Sequence, residues 1–373
     1  MKAFRPAILL LSLIYMSCGT LRLSKPVGQF PENWPMFGRN SLHTSMSDIE
    51  SSGLTEVWER NVGAGFGTFS PTIAGGIVFV GTLRGDVDLL NAANGDEIAT
   101  KNFGGAAFAP PLVSGSIIVV ASSQSKENLF AYNLLTGKPV WSKQIPDVEA
   151  PPALLDSSLY VSTVTGDLYR YGLRTGKEIF HEKFPAPIRV APVVDESLCV
   201  FGCEDGYVYA VSPVDGKEKW KYKAGSMIWC SASMNDSLIF VGDNAGEFLA
   251  LTRGGVLAYS FRTGEKILSM PISDRKRVYF GCNDGEFYAL NIANGCLLWK
   301  VSTGAPIITS AAQTRSQIIF GGLDQKIYVV DKDSGKVVQT IDLDGRIRTG
   351  PAIYEHYLAV CTDNGKVFGF RIK

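Results

Sequence analysis

The chain repeats itself about every 40 residues, and no other feature constrains its fold as tightly. One complete unit runs from Pro192 to Trp220. Val193-Val194 and Leu198–Phe201 are short β-prone runs, and Glu204-Asp205-Gly206 is a tight-turn signal. Tyr207–Val211 reads as the next strand, Asp215-Gly216 as a second turn, and Glu218-Lys219-Trp220 as the start of a fourth strand. The residue ending the second strand recurs at Gly81, Ala121, Ser162, Gly202, Gly242, Gly281, Gly321 and Cys361, with gaps of 39 to 41. Ten residues before each of these stands a proline, except at Ala232 and Ala311.

The second turn repeats too, as in Asn94-Gly95, Asp215-Gly216 and Ser334-Gly335. Four residues after its glycine stand Trp141, Phe180, Trp220, Tyr259 and Trp299, with Ala99 and Gln339 as exceptions. Four strands per repeat at this period predict an all-β, eight-bladed β-propeller of four-stranded antiparallel blades. The eighth unit stops at Lys373, after its third strand. A strand without a hairpin partner, Leu54–Arg60 with Trp58, precedes the first unit. The ring is therefore expected to close by strand exchange, with Leu54–Arg60 completing the last blade and removing two open sheet edges.

Three segments follow: an export signal at 1–17, a tether and packing segment at 18–53, and the propeller at 54–373. Lys2 and Arg5 precede the apolar run Ala7–Met16. That run is too short to span a bilayer, which takes about 20 residues. Ser17-Cys18-Gly19 resembles a bacterial lipoprotein cleavage site, which implies that Cys18 becomes lipidated. An ordinary signal peptide with an incidental cysteine is the other reading. Residues 19–33 read as a tether, and Trp34-Pro35-Met36-Phe37 as a stretch that packs on the folded body.

The 36 acidic and 36 basic residues cancel. Nucleic-acid binders draw affinity from clustered Lys and Arg, so that class is excluded. His43, His181 and His356 are scattered without metal-ligand spacing and read as surface or strand-end residues. No Walker loop, GxSxG elbow or HExxH occurs. Asp205, Asp284 and Asp324 recur in the turn between second and third strands, where Asp bonds local backbone. No catalytic residue is assigned, and the expectation is a protein that is not an enzyme. Beyond Cys18 there are Cys199, Cys203, Cys230, Cys282, Cys296 and Cys361. They read mostly as buried small residues, with a Cys203–Cys230 bridge left open.

The repeats resemble the quinoprotein-type (PQQ-like) propeller repeat: Tyr288-Ala289-Leu290-Asn291, then Asn294-Gly295 and Trp299, show it best. The resemblance covers about residues 54–373. With the export signal, the Cys18 motif and the Asp363–Phe368 ending, the chain resembles the BamB family, propeller lipoproteins of the machinery that inserts β-barrels into the bacterial outer membrane. That implies a non-catalytic scaffold, monomeric within a complex and lipid-anchored in the cell envelope at the outer membrane, facing the periplasm. It implies an outer-membrane barrel-assembly subunit as partner and no cofactor. The alternatives are an envelope protein binding a small molecule or a cofactor such as PQQ, and an envelope scaffold with another partner. Quinoprotein dehydrogenases of this repeat carry an adjacent Cys-Cys pair, calcium ligands and a catalytic Asp. No Cys-Cys occurs here.

The partner surface is expected where each innermost strand begins. Three residues before the proline position stand Thr68, Phe108, Glu149, Arg189, Trp229, Leu268, Ile308 and Arg348. Their equivalent register places them around the channel mouth. Aromatics with Arg on an accessible rim suit a protein contact; plugging the channel is the competing role. Arg346 lies two residues before Arg348, on the same side of the strand. In the BamB family a Leu-Arg stretch entering the fourth blade contacts the barrel-forming subunit, and Ile188-Arg189 resembles it. The acidic stretch that follows there is replaced here by Met227-Ile228-Trp229-Cys230.

Overall fold

A computed structural model describes residues 20–28 and 32–373. The expected signal at 1–17 and Cys18 lie outside the described residues. Strand β1 (Leu54–Asn61) precedes the first blade, built from β2 (Thr72–Ala74), β3 (Ile77–Gly81), β4 (Asp86–Asn91) and β5 (Glu97–Asn102). Eight four-stranded antiparallel sheets follow this plan. In seven the strands are consecutive, and in the last β1 pairs with Lys366–Ile372, Leu54 facing Ile372. Strand exchange therefore closes the ring, as the unpaired strand predicted. All eight repeat markers are the last residues of second strands, from Gly81 to Cys361.

The spaced aromatics lock neighbouring blades together. Trp141 Nε1 donates to the Leu173 carbonyl at 2.8 Å, Trp220 Nε1 to Arg253 at 2.9 Å, and Trp299 Nε1 to Lys332 at 3.0 Å. Each carbonyl belongs to the outer turn of the next blade. Trp58 makes the same bond across the closure, to Ala92 at 2.9 Å. Its indole lies flat on that turn's Gly95, where an added Cβ would sit 2.6 Å from the ring. The tight turn and the tryptophan recur together because each needs the other's shape. The core lies between blades: Phe287 and Phe320, from adjacent blades, stack at 4.0 Å. Each such ring buried contributes about 1.5–3 kcal/mol.

Strands alternate in direction, so each blade presents two turn types on each face of the ring. The turns joining first to second and third to fourth strands share one face. Segment 32–53 crosses the channel on that face. Trp34 bridges to Ile73, Val194 N donates to Ser41 O, Met234 N to Leu42 O, and Gln313 N to Ser45 O. The segment thus straps the inner strands of blades on opposite sides of the ring. Trp34, Met36 and Phe37 are buried, as expected. The tether reading of 19–33 does not hold for residues 20–28. Leu21, Leu23 and Val27 are buried in the first two blades, and Leu23 N donates to Leu134 O at 2.6 Å. Their alternating apolar side chains supply enough burial to dock the segment.

The strap holds uncommon backbone geometry. Gly38 has φ +67°, and a Cβ there would meet His43 at 2.8 Å. Arg39, His43 and Ser45 also have positive φ. Such residues cost about 1–3 kcal/mol each and persist where surroundings over-determine them. Here Ser45 N donates to Gly38 O, and Gln313 Nε2 donates to the carbonyls of Thr44 and Ser273.

Candidate functional site

On the face opposite the strap, the channel opens as a cup of about 270 Å³. All eight positions of the expected ring line it: Thr68, Phe108, Glu149, Arg189, Trp229, Leu268, Ile308 and Arg348. The floor is Phe37, delivered from below by the strap, with Phe69 edge-on to it at 5.1 Å. Phe66, Leu83 and Met270 add apolar wall.

A repeated backbone rule aims these side chains. At six of the eight positions the residue before the ring position donates its N–H to the preceding blade's second-to-third turn. Ala107 bonds Thr82, Ile188 bonds Thr163, Ile228 bonds Cys203, and Ile347 bonds Gly322. Its side chain points the other way, into the blade interface. Ile228 rests over Gly202, where an added Cβ would lie 2.2 Å from its Cγ2, and Ile267 rests over Gly242 likewise. The marker glycines of the repeat are therefore close-approach points that set the ring residue one position later.

This alternation corrects one assignment. Ile188 is buried at the interface of its blade and cannot sit on the rim beside Arg189. Neighbours in an extended strand face opposite ways. Arg346 also lies outside the cup. Its Nε donates to Asp363 Oδ2 at 2.6 Å and its N–H to Oδ1 at 2.9 Å.

One side of the rim is polar and tightly paired. Arg189 donates to Glu149 and, through Nε, to Glu204 Oε1 at 2.9 Å. Trp229 Nε1 donates to the same Glu204 oxygen at 2.9 Å. Burial opposes the Arg189 charge, but Glu149 and then Glu204 outweigh it, and its pKa is held above the ordinary value. Glu204 was not among the expected site residues. It stands two residues after a marker glycine, and its N–H bonds the carbonyl of Pro187, two residues before Arg189. Across the cup, Arg348 is exposed, while Phe108, Leu268 and Ile308 are half-buried.

The remaining candidates resolve as follows. His43 is not at the surface: it is buried under the cup floor, its ring 5.3 Å from Phe37. Its Nδ1 lies 2.7 Å from the Ala232 carbonyl, so that nitrogen carries the proton. Burial pushes its pKa down to about 4, against that hydrogen bond. His181 lies on a strand, stacked on Tyr169 and bonded to Asp167 at 2.8 Å. His356 is exposed in a turn. Asp205 accepts from Tyr207 N and Tyr209 OH, and Asp284 from Glu286 N and Tyr288 OH, structural roles in the turns. The six described cysteines are free, which answers the Cys203–Cys230 question. Burial pushes Cys203, Cys230 and Cys361 up to about 12, so these thiols are inert. Cys296 alone of the six is exposed.

A closed propeller with one channel mouth strapped and the other rimmed by aromatic and charged side chains defines a propeller of the quinoprotein-repeat class with one open mouth. The chain belongs to the family described as outer membrane protein assembly factor BamB, which it matches over residues 49–154, 125–275 and 204–368. The BamB of Nitrosomonas eutropha is 28% identical over 109 residues, 29% of this chain and 27% of that protein. The BamB of Burkholderia pseudomallei is 23% identical over 226 residues, 60% of this chain and 48% of that protein. The matched stretches thus span less than half of either relative. The crystal structure of BamB from Moraxella catarrhalis superposes with a TM-score of 0.69 at 16% identity, covering 86% of this chain and all of that one. Quinohemoprotein alcohol dehydrogenase from Comamonas testosteroni gives 0.78 at 13% identity, over 91% of this chain and 80% of that one. At such identities both likenesses are of fold.

Proposed function

We propose that this chain is a non-catalytic scaffold that binds an outer-membrane barrel-assembly subunit through the cup rim, tethered by lipid on Cys18 in the periplasmic leaflet of the outer membrane. The observation that carries this reading is the ring itself. Equivalent register presents eight side chains at one mouth of the channel, six of them set by the same backbone hydrogen bond, and the strap seals the other. Trp229, Phe108 and Ile308 are the anchors, and Arg189, Arg348 and Glu149 give the rim its charge. Buried aromatics and Arg dominate binding at protein interfaces.

The donor set argues against a calcium-held quinone. The cup's lone lining carboxylate, Glu149, is taken up by Arg189. Among the described residues no three His, Cys, Asp or Glu cluster to hold a metal. Quinone absorbance in purified protein would overturn that judgement. The direct test is affinity capture from detergent-solubilised envelopes, with Arg189→Glu as control. Recovery of a large outer-membrane barrel protein, lost in the variant, is expected. Recovery by neither bait would sink the assembly role.

A further inference from the structure

The two faces of the propeller differ in where the chain arrives. Residues 20–28 lie across the strap face, from the outer turn of the second blade at Leu134-Leu135 to the inner turn of the first at Gly75. Arg22 Nε donates to Leu135 O at 3.1 Å, and Thr20 packs against Gly137 in the same turn. Cys18 is two residues further back, a reach of at most about 7 Å. A chain held at Cys18 therefore has no slack. Its strap face must lie close to whatever holds it, and the cup must point away.

The perimeter of that face carries apolar side chains set between charged ones such as Lys177, Lys217 and Lys336. Outer strands begin there, and their first residues and preceding turns carry exposed large hydrophobics. Val214 is 67% exposed, Val256 65%, Leu298 46%, Val338 47%, Ile179 47% and Val140 39%. They come from different blades, so they encircle the face instead of forming one patch for one partner. On the cup face, exposed Leu83 and Trp229 line the mouth instead.

We propose that the strap face is a bilayer-docking surface. Its crown of apolar side chains enters the lipid interface, and the propeller axis stands upright on the membrane. This rests on the lipid anchor proposed above. A ring of single apolar side chains suits the headgroup boundary, where shallow insertion buries apolar area without spanning. A short anchor adds effective concentration, so each contact can be weak.

Cys296 provides a native probe, because its exposed thiol lies in an outer turn of the strap face, next to Leu297-Leu298. The full-length lipidated chain is labelled there with an environment-sensitive dye and reconstituted in vesicles of bromine-labelled lipid. A second chain, Cys296→Ala with Arg84→Cys, carries the dye on the cup face. Loss of intensity at Cys296 and none at position 84 is expected. Replacing Val256 and Leu298 by Asp should abolish the loss while the acyl mass on Cys18 persists. An acylated chain whose Cys296 dye is not quenched, or whose two dyes are quenched alike, overturns the docking surface and leaves the anchor standing. Absence of the acyl mass on Cys18 removes the anchor, and the docking proposal with it.

Discussion

The cup face and the strap face close the same channel by opposite means. The cup face is built by repetition. One hydrogen bond recurs at six of the eight positions, five of them with an isoleucine in the blade interface, and the ring residue after it varies freely. The strap face is built once, by a segment that resembles nothing else in the chain. It reaches Ile73, Val194, Met234 and Gln313 by separate bonds and accepts left-handed backbone at Arg39, His43 and Ser45. Repetition fixes a frame on which residues can change cheaply. The unique segment carries strain and tolerates little.

That contrast predicts a graded response to change. The largest effect falls on the unique segment: Trp34→Ala should cost about 3–5 kcal/mol, the usual loss for a buried aromatic. Denaturant unfolding measures it, and a loss below that of an exposed rim variant would break the comparison.

Acid should act on the same segment. The unfolded chain protonates His43 near 6.5, whereas the folded chain resists until about pH 4. Stability is full above about pH 6.5 and falls as pH drops towards 4, by about 3 kcal/mol in total. Unfolding midpoints at pH 7.5 and 4.5 should differ more for the native chain than for His43→Gln. Equal differences would remove His43 as the cause.

The repeated frame should respond less. Gly202→Ala crowds Ile228, at a cost of about 1–3 kcal/mol for overpacking. The displaced Ile228 carries Trp229 with it, so partner capture should weaken alongside stability. Ser162 already bears a side chain at the equivalent marker, which shows that a blade can adjust.

The smallest effect on folding belongs to the rim itself. Arg189→Glu replaces the cation of a partly exposed ion-pair cluster by a third carboxylate beside Glu149 and Glu204, and should lower stability by about 1 kcal/mol. It should nonetheless abolish capture of the partner. Arg346→Ala, outside the cup, should leave capture intact. If both variants bind alike, the cup is not the contact.

Most of the repeated half was legible in the sequence. The markers, the closing strand and the eight ring positions all follow from register, which repetition makes redundant. Direction was harder. Ile188 and Arg189 are adjacent in sequence and opposite in space, and only the structure shows that the marker glycines Gly202 and Gly242 leave room for Ile228 and Ile267. Glu204 was hidden because a turn acid usually serves its own backbone, as Asp205 does. The strap's apolar residues announced burial, but with a single copy no alignment could say where. His43 shows the cost, since a lone histidine without context reads as a surface residue.

The closing strand has a consequence for how the molecule is made. Leu54 pairs with Ile372, so a strand that precedes the first blade and a strand that follows the seventh meet in one sheet. Seven of the blades can form one after another, each from consecutive strands. The last blade cannot, because its outer strand is made among the first and its inner three among the last. Until then Trp58 has no Gly369 to cover, and β1 waits with an unpaired edge. Contacts so distant along the chain form slowly, because loop-closure entropy is lost before the pairing repays it. Strand β1 thus keeps a sticky edge while seven blades form, and that edge is where a chaperone would be needed most.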